Sequence, residues 1–400
     1  MKILQINTTL NWGSTGRIAE EIGSLIQEKG AESFIAFGRY NNPSKSITYH
    51  IGNKLDFYYH ALQTRIFDNH GLASKNATKE LVKYIKNIQP NIIHLHNIHG
   101  YYVNYQILFN FLSELDIPIV WTLHDCWSFT GHCSHFSFEK CNRWKSMCYN
   151  CPKKGSYPAS FILDRSKKNF LDKKNSFTSI NKMTIVTVSN WLANEVKSSF
   201  FKKYPIKTIH NGINLETFKP TYNPKKYKEF TNKFVILGVA SVWTDRKGLN
   251  DFITLRPLLP NDYIIILIGL SKQQIKDLPE GIIGIQRTNN IQELTEYYSL
   301  ANVFFNPTWE DNFPTTNLEA LACGTPVITY NTGGSIEAID KKTGFIVEQG
   351  DLNTTIQIIK TLKLEGKEKY EIPCRQRATQ FYNKNERYEE YIELYNSILK

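Results

Sequence analysis

The chain has 400 residues, of which 41% are hydrophobic and 13% aromatic, and its formal net charge is +11. This length is too great for one ordinary core and predicts two domains of a globular protein. The first strand starts without a signal segment and no apolar run approaches membrane-spanning length, so we expect a cytoplasmic protein that meets a membrane only at its inner surface. The basic balance favours phosphorylated ligands, anionic lipid or nucleic acid.

Strand and helix patterns alternate along the first half of the chain. The strands are short apolar runs, and an amphipathic helix at 17–29 closes at Gly30. The predicted strands cover residues 3–7, 33–37, 91–96, 117–123, 183–188 and 206–210. This alternation predicts an α/β fold with a doubly wound sheet.

The loop after the first predicted strand contains Gly13 and Gly16. Glycine lets the backbone approach a ligand closely, and the start of the following helix favours anions. A turn that simply needs glycine explains the same residues. The loop lacks the G-x-G-x-x-G spacing of a dinucleotide site, and no acid ends the second strand, which argues against a nicotinamide enzyme.

Histidines follow two of the buried strands. His124 and Asp125 come at the end of the strand at 117–123, and the carboxyl edge of such a sheet is where α/β proteins bind ligands. A neutral His124 can donate to a ligand hydroxyl while Asp125 orients it, and a core histidine bonded to the backbone is the alternative. The preceding strand ends in His94, His96 and His99, which indicate an acceptor pocket or a supporting layer.

Five of the seven cysteines fall within residues 126–151, in a loop of little regular pattern. Four of them have the order Cys133-x7-Cys141-x6-Cys148-x2-Cys151. Because a cytoplasmic chain rarely forms disulfides, these four thiols predict a structural zinc site. His132 and His135 are alternative ligands, and reduced or buried cysteines explain the same spacing. We place this insertion at 126–158.

Two clusters at 165–174 and 200–204 mix lysines with aromatic residues. The aromatic members are Phe170, Phe200, Phe201 and Tyr204. Rings among lysines suit a lipid headgroup surface, and a solvated lysine-rich helix explains the same pattern. The sequence has no RNA-recognition signature, so we expect no nucleic acid partner.

The alternation of strands and helices resumes after a polar connection, rich in lysine and tyrosine, at 213–231. The predicted strands of this half cover 234–240, 263–268, 282–285, 303–306, 327–330 and 345–347. A charged, tyrosine-rich helix follows at 376–400. We predict a first domain at 1–212, a second at 213–385 and a C-terminal helix at 386–400.

The stretch at 302–337 is predicted to form a strand, a loop, a helix, a strand and a turn at Gly333-Gly334. Such a unit places the start of the helix at the carboxyl edge of a parallel sheet, where N–H groups and the helix dipole attract phosphate. Glu319 lies one turn inside this helix and can accept two hydrogen bonds from a ribose diol. Nucleotide-sugar chemistry needs both features, although an ordinary β-α-β unit with surface acids has the same pattern.

This stretch resembles the donor-site motif of the retaining glycosyltransferases of family four, which have the GT-B fold. The family has two acids eight residues apart, then a small-residue helix and G-T-P-V. Here Asp311 and Glu319 have that spacing, but the first acid of the family is normally Glu, so Glu310, one position earlier, is the alternative.

The loop at 238–248 is similar to the G-R-x(4–6)-K-G phosphate loop of the same family. Lys247 matches the lysine, which would neutralise the leaving diphosphate. Ser241 stands near the usual arginine position, and Arg246 restores that charge from another place. Gly13 and Gly16 match the glycine-rich loop of the family, and His124 resembles its strand-end histidine.

The resemblance implies two Rossmann-like domains facing a cleft, with the C-terminal helix packing back on the first. It implies that Lys247, Gly334 and Glu319 hold the nucleotide. The donor sugar would meet His124, one of the acids, and the backbone around Phe313, Pro314 and Thr315. Most members need no catalytic metal, so a nucleotide-diphosphate sugar is the only small molecule we expect besides a structural zinc.

We therefore predict retaining transfer of a sugar to a saccharide or lipid-linked acceptor. By analogy with family members, the pathway would be capsule, colanic acid or lipopolysaccharide assembly at the inner membrane. A nucleotide-sugar 2-epimerase of the same fold, and a non-enzymatic protein that binds zinc or RNA, are the alternatives. The second alternative explains the cysteines and the charge but not the set formed by Asp311, Glu319 and Lys247.

Overall fold

The computed structural model describes residues 1–221 and 227–400, which form two compact units. The first unit comprises Met1–His210 and Tyr388–Lys400, and the second comprises Asn211–Arg387. The predicted connection at 213–231 lies partly outside the described residues. Each unit is built on one parallel β-sheet whose strands alternate with helices, which confirms the predicted α/β class.

The sheet of the first unit has seven parallel strands in the order β3-β2-β1-β4-β5-β6-β7. The strands are β1 (Lys2–Asn7), β2 (Glu32–Phe37), β3 (Ile47–His50), β4 (Ile92–Leu95), β5 (Ile119–Leu123), β6 (Met183–Thr187) and β7 (Ile206–Thr208). Six of them match the predicted apolar runs. The seventh, β3, was not predicted because it is an edge strand that is largely exposed and therefore has no continuous apolar run.

The first unit also contains six helices that connect these strands. They are α1 (Gly13–Glu28), α2 (Lys54–Phe67), α3 (Lys75–Ile88), α4 (Tyr105–Ser113), α5 (Ser166–Phe177) and α6 (Asn190–Lys197). Side-chain caps define several starts, since Asn53 and Asp56 form a capping box on α2 and Ser189 caps α6. Between β5 and α5, the cysteine-containing stretch has only short 3-10 turns.

The sheet of the second unit has six parallel strands in the order β10-β9-β8-β11-β12-β13. Its strands are β8 (Phe234–Val239), β9 (Tyr263–Ile268), β10 (Ile282–Ile285), β11 (Val303–Asn306), β12 (Val327–Tyr330) and β13 (Gly344–Val347). Its helices are α7 (Leu249–Leu255), α8 (Lys272–Lys276), α9 (Ile291–Leu300), α10 (Thr315–Ala322), α11 (Leu352–Glu365) and α12 (Glu368–Tyr382). No helix in the described part of the chain is long and apolar enough to span a membrane.

The predicted helix at 376–400 is two helices, α12 and α13 (Lys384–Ile398), separated at Asn383. Asn383 is extended, with φ −62° and ψ 118°, and it pairs with Ile213 in a short parallel bridge. The Ile213 N–H donates to the Tyr382 carbonyl at 2.7 Å, and the Lys384 N–H donates to the Ile213 carbonyl at 3.1 Å. This pairing uses backbone groups that a continuous helix would need, so the helix breaks there.

Helix α13 completes the hydrophobic core of the first unit. Tyr388, Tyr391 and Tyr395 are buried in one cluster with Ile3 and Val120 of the central strands. The hydroxyl of Tyr395 lies 2.7 Å from Nδ1 of the buried His94. The last helix therefore contributes both apolar packing and a buried polar contact to the first unit.

We expect Tyr395→Ala to lower the free energy of unfolding of the first unit by about 3–5 kcal/mol, because it leaves a cavity in a closely packed core. Tyr395→Phe should cost about 1–3 kcal/mol, since only the hydrogen bond to His94 is lost. Urea unfolding followed by circular dichroism measures both. Leu399→Ala, at a side chain that is 42% exposed, is the control, and a Tyr395→Ala protein as stable as this control would contradict the role of α13.

Candidate active site

The strand order of the second unit reverses between β8 and β11, and ligands of open α/β sheets bind at such a switch point. Lys247 lies in the loop that follows β8, and Asp311 lies in the loop that follows β11. Their side chains meet, with Nζ of Lys247 2.5 Å from Oδ2 of Asp311. The structure thus brings together two residues that are 64 positions apart in the chain.

Two glycines let the loops around this pair pack closely. Gly248 has φ +78°, and a Cβ there would lie 2.2 Å from the Pro307 carbonyl oxygen. Gly333 has φ +51°, and a Cβ there would lie 1.9 Å from the Asp311 carbonyl oxygen. Both positions therefore require glycine. The Gly334 N–H, which was predicted to face an anion, donates to the Asp311 carbonyl at 3.3 Å.

The structure distinguishes the two adjacent acids of the β11 loop. The Asp311 carboxylate is partly exposed, reaches Lys247, and accepts from the Phe313 N–H at 3.3 Å through Oδ1. The Glu310 side chain is buried, and its carbonyl oxygen accepts from Nη1 of Arg246 at 2.6 Å. Arg246 therefore ties the two loops together, and Asp311 is the acid that adjoins the lysine.

Helix α10 begins at Thr315, directly after Pro314, beside the Asp311 loop. No side chain within the described residues caps this end. The Asn317 N–H donates to the Pro314 carbonyl at 3.2 Å, and the N–H groups of Thr315 and Thr316 have no partner inside the helix itself. Phe313 contributes only backbone to the edge, because its ring is buried against Tyr382 with centroids 5.9 Å apart. The helix start thus retains the dipole and the N–H groups that favour an anion.

Glu319 lies one turn inside α10 and is held by a residue that the sequence did not indicate. The hydroxyl of Tyr298, on α9, donates to Oε2 of Glu319 at 2.7 Å. Tyr298 is fully buried, and burial together with Glu319 raises its pKa well above its usual value, so it stays a donor. The Tyr298 hydroxyl therefore fixes the orientation of the carboxylate.

The two predicted glycines of the first unit have different roles at the start of α1. A Cβ at Gly16 would lie 2.7 Å from Oγ1 of Thr9, so this glycine allows the helix to pack on its own loop. Gly13 has φ +67° and open space around it. The loop is closed by the Asn11 N–H, which donates to the Gly16 carbonyl at 3.2 Å. Gly13 is therefore the one whose backbone is accessible to a ligand.

A chain of hydrogen bonds in the first unit fixes the proton of His124. Nε2 of Gln5 donates to the Ala19 carbonyl at 2.8 Å, so the Gln5 oxygen is the atom that faces Nε2 of His96 at 3.0 Å. His96 therefore donates to Gln5 from Nε2, and its Nδ1 lies 3.1 Å from Nε2 of His124. Burial lowers the pKa of His96 well below its usual value and that of His124 to about 4, so both rings are neutral. His124 must then donate from Nε2, and its Nδ1 is an acceptor.

The other histidines of this edge form a supporting layer. His94 is fully buried, with Nε2 2.8 Å from Oγ1 of Thr122 and Nδ1 at the Tyr395 hydroxyl. Nε2 of His99 lies 2.7 Å from Oδ2 of Asp125. The other oxygen of Asp125 accepts from the Trp127 N–H at 2.9 Å. Asp125 therefore orients His99, whereas the Gln5–His96 chain orients His124.

The structure of the cysteine-rich loop does not support the predicted zinc site. The four cysteines and His132 line one small cavity of about 20 Å³. However, the Cys133 thiol donates to Cys151, and the Cys148 sulfur accepts from the Gly131 N–H at 3.2 Å. Within the described parts of the chain, no three histidine, cysteine or acidic side chains converge closely enough to hold a metal ion. Zinc is thus not supported, because the cysteines share a cavity without bringing three ligand atoms to one point.

The aromatic residues of the two lysine clusters are mostly core residues. Phe170, Phe201 and Tyr204 are buried, and the Tyr204 hydroxyl donates to the Ile180 carbonyl at 2.8 Å. These rings therefore do not face a lipid surface. Lys173 of the first cluster is also buried, with its Nζ donating to the Trp127 carbonyl at 2.7 Å, whereas the other lysines of the two clusters are exposed.

Two family models together match most of the chain. The family model described as Glycosyltransferase Family 4 matches residues 16–217, and the model described as Glycosyl transferases group 1 matches residues 233–363. WcaC of Escherichia coli K12, assigned to colanic acid biosynthesis as a glycosyl transferase, is 23% identical over 100% of both chains. The capsular polysaccharide glycosyltransferase CapM of Staphylococcus aureus is 26% identical over 54% of this chain and 62% of its own length.

A further relative acts on a lipid-linked substrate. It is the N,N'-diacetylbacillosaminyl-diphospho-undecaprenol alpha-1,3-N-acetylgalactosaminyltransferase of Campylobacter jejuni, which is 26% identical over 49% of this chain and 54% of its own. Among solved structures, a sucrose-phosphate synthase from Thermosynechococcus elongatus matches with a TM-score of 0.73 at 15% identity, over 99% and 98% of the two chains. Anabaena HepE in complex with UDP matches with a TM-score of 0.70 at 14% identity, over 99% and 100%. These likenesses confirm the predicted GT-B class.

The hydrogen-bond chain predicts that His124 is the Nε2–H tautomer at neutral pH. Two-bond ¹⁵N–¹H spectra of histidine-labelled protein distinguish a protonated from an unprotonated ring nitrogen, and the signal missing from a His124→Gln protein gives the assignment. We expect no protonation of His124 down to about pH 5, because its pKa is about 4. The exposed His50 is the internal control. An Nδ1–H tautomer of His124 would contradict the hydrogen bonds from Gln5 through His96 to His124.

Proposed function

This chain belongs to glycosyltransferase family 4, and from that membership we propose that it transfers a sugar from a nucleotide diphosphate to a saccharide or lipid-linked acceptor. The observation that carries the proposal is the grouping of Lys247, Asp311 and the start of α10 at the switch point of the second unit. Glu319 extends this group by one helical turn. The likeness to HepE, whose structure contains UDP, supports a nucleotide as the ligand.

We assign the diphosphate to Lys247 and the first turn of α10. The lysine ammonium has three N–H donors, so it can bind a phosphate oxygen while it keeps its contact with Asp311. The α10 start adds N–H groups and a positive dipole end. Together they stabilise the negative charge that develops as the diphosphate leaves.

We assign the ribose to Glu319. The Tyr298 hydroxyl holds Oε2 of this carboxylate, which fixes the plane in which the carboxylate meets a ligand. A carboxylate has about four lone-pair sites, so it can accept from a ribose diol in addition to the tyrosine. This arrangement binds the nucleotide without taking part in the bond that breaks.

We assign the donor sugar to Asp311 of the second unit. Asp311 adjoins the lysine that we assign to the diphosphate, whereas Glu310 is buried. In the first unit, the Nε2–H tautomer of His124 has Nδ1 as its acceptor atom, which reverses the polarity expected from the sequence. Asp311 would position the sugar by hydrogen bonds.

We propose retention of the anomeric configuration by front-face attack. The bond from the anomeric carbon to the diphosphate oxygen breaks, and the acceptor hydroxyl oxygen bonds to the same face of that carbon. The diphosphate, the leaving group, takes the proton of this hydroxyl. No side-chain nucleophile is then required.

We propose that the acceptor is a growing surface polysaccharide or its lipid-linked precursor. Three relatives support this class, since their names refer to colanic acid, capsular polysaccharide and a diphospho-undecaprenol saccharide. The product would then be made at the inner face of a membrane.

Nucleotide release from a panel of UDP-, GDP-, ADP- and CMP-sugars tests the proposal. We expect one nucleotide to raise the melting temperature of the protein and its sugar to be hydrolysed slowly without an acceptor. A response to none of them would refute the donor assignment. A UDP-sugar converted to its 2-epimer or cleaved by direct elimination would instead favour the epimerase.

We expect Glu319→Ala to weaken nucleotide binding by about 10- to 100-fold, which corresponds to the free energy that hydrogen bonds to a charged group usually contribute. Tyr298→Phe should weaken nucleotide binding only several-fold, because this change removes the hydrogen bond that orients the Glu319 carboxylate and leaves the carboxylate itself in place. Isothermal titration with the nucleotide selected by the panel measures both. Glu280→Ala, at an exposed acid of the same unit, is the control, and unchanged binding by Glu319→Ala would exclude this site.

We expect Asp311→Asn to lower kcat by about 100-fold or more while nucleotide binding stays within about threefold, since the acid acts on the sugar. Glu310→Gln is the matched variant, and its kcat should stay close to that of the unmodified protein. Steady-state turnover with the selected donor measures both. The reverse pattern would assign the role to Glu310.

A further inference from the structure

Helix α2 has its apolar side chains on the outside. The residues that it buries are small or polar, namely His60, Ala61 and Thr64. The opposite stripe consists of Leu55, Tyr58, Tyr59 and Leu62, of which Leu55 is 78% exposed. Their spacing of three and four residues places them on one side of the helix. Helices at the surface of water-soluble proteins have the opposite arrangement, with the apolar stripe facing the core.

A second segment extends this stripe. The Phe161 N–H donates to the Arg65 carbonyl at 2.8 Å, and the Leu163 N–H donates to the Ile66 carbonyl at 3.2 Å. These bonds fasten the loop to the last turn of α2. Phe161 and Ile162 are 66% and 63% exposed. Two distant parts of the chain thus form one surface, which we call the α2 surface: Leu55, Tyr58, Tyr59, Leu62, Phe161 and Ile162.

Basic side chains border the α2 surface. Lys54 and Arg65 are exposed and, at eleven residues apart, lie on the same flank of the helix. Nζ of Lys154 donates to the Ile162 carbonyl at 3.2 Å, which places a third cation at the loop. Lys167 and Lys168 follow a few residues later and are exposed. Of the nearby acids, Asp56 caps α2, Asp164 accepts from the Cys151 N–H at 2.6 Å, and Asp172 pairs with Lys168 at 3.4 Å.

We propose that the α2 surface docks the first unit on an anionic lipid bilayer. Leucine and isoleucine would insert below the headgroups, the tyrosine rings would lie at the interface, and the bordering cations would meet lipid phosphate. This combination fits a bilayer better than a protein partner, since cations around an apolar stripe match a surface that is apolar inside and anionic at its edge. The lysine clusters identified from the sequence do not provide it, because their rings are mostly buried.

The inference deepens the proposed function, since it names the partner that would bring the enzyme to a lipid-linked acceptor. It can be tested without turnover. Full-length protein is sedimented with vesicles of phosphatidylcholine that contain or lack phosphatidylglycerol. We expect binding to the anionic vesicles, and we expect that binding to weaken with added salt and without phosphatidylglycerol.

The variant Leu62→Gln with Ile162→Gln removes one apolar side chain from each segment. We expect its affinity for anionic vesicles to fall about tenfold or more, from the loss of two buried aliphatic groups. The matched control is Leu364→Gln with Ile372→Gln, which changes side chains that are 89% and 66% exposed in the second unit. Its vesicle binding should be unchanged, and all proteins should keep the melting temperature and nucleotide release of the unmodified protein.

Equal vesicle binding by the two double variants, or no binding by the unmodified protein, would overturn the proposal. A dimer in light scattering that Leu62→Gln with Ile162→Gln converts to a monomer would also overturn it, by identifying a second copy as the partner. If the protein turns over the donor in solution but does not bind vesicles, the transferase assignment stands and only the proposed docking surface is rejected.

Discussion

The contact between the β8 and β11 loops is the constraint on which the candidate site depends. Gly248 of the β8 loop lies against the Pro307 carbonyl, and Gly333 of the loop after β12 lies against the Asp311 carbonyl, so the β11 loop is held by close packing on both sides. Arg246 binds the same segment through the Glu310 carbonyl. Because these contacts are made by backbone, the positions of Lys247 and Asp311 are set by the path of the chain rather than by their own attraction. The pair is therefore organised before any ligand arrives.

Most of the fold could be predicted because buried parallel strands are apolar on both faces and leave a clear trace in the sequence. The edge strand β3 lacks that trace, since most of its residues are exposed. The break at Asn383 also left no local signal, because it arises from pairing with Ile213, which is 170 residues earlier in the chain. Local sequence patterns record burial and neighbouring residues. They therefore show neither an exposed edge strand nor a helix break that is caused by pairing with a distant residue.

The same limit applies to the candidate site. The motif identified Lys247, Asp311 and Glu319, but Tyr298 and Gln5 act through contacts that no spacing predicts. The zinc prediction was not supported for the same reason. The spacing of the cysteines brings them to one cavity, while the direction of each thiol depends on local backbone donors such as the Gly131 N–H. Aromatic residues among lysines were similarly ambiguous, since composition cannot tell a buried ring from an exposed one.

Helix α13 has a consequence for the biosynthesis of the protein. The central strands of the first unit are made early, but Tyr388, Tyr391 and Tyr395, which cover them, are made last. On the ribosome, the first unit must therefore wait with Ile3 and Val120 uncovered while the whole second unit emerges and folds. Completion of the first unit is thereby coupled to translation of nearly the entire chain, so a truncated product would be left with an open core for chaperones and proteases to recognise.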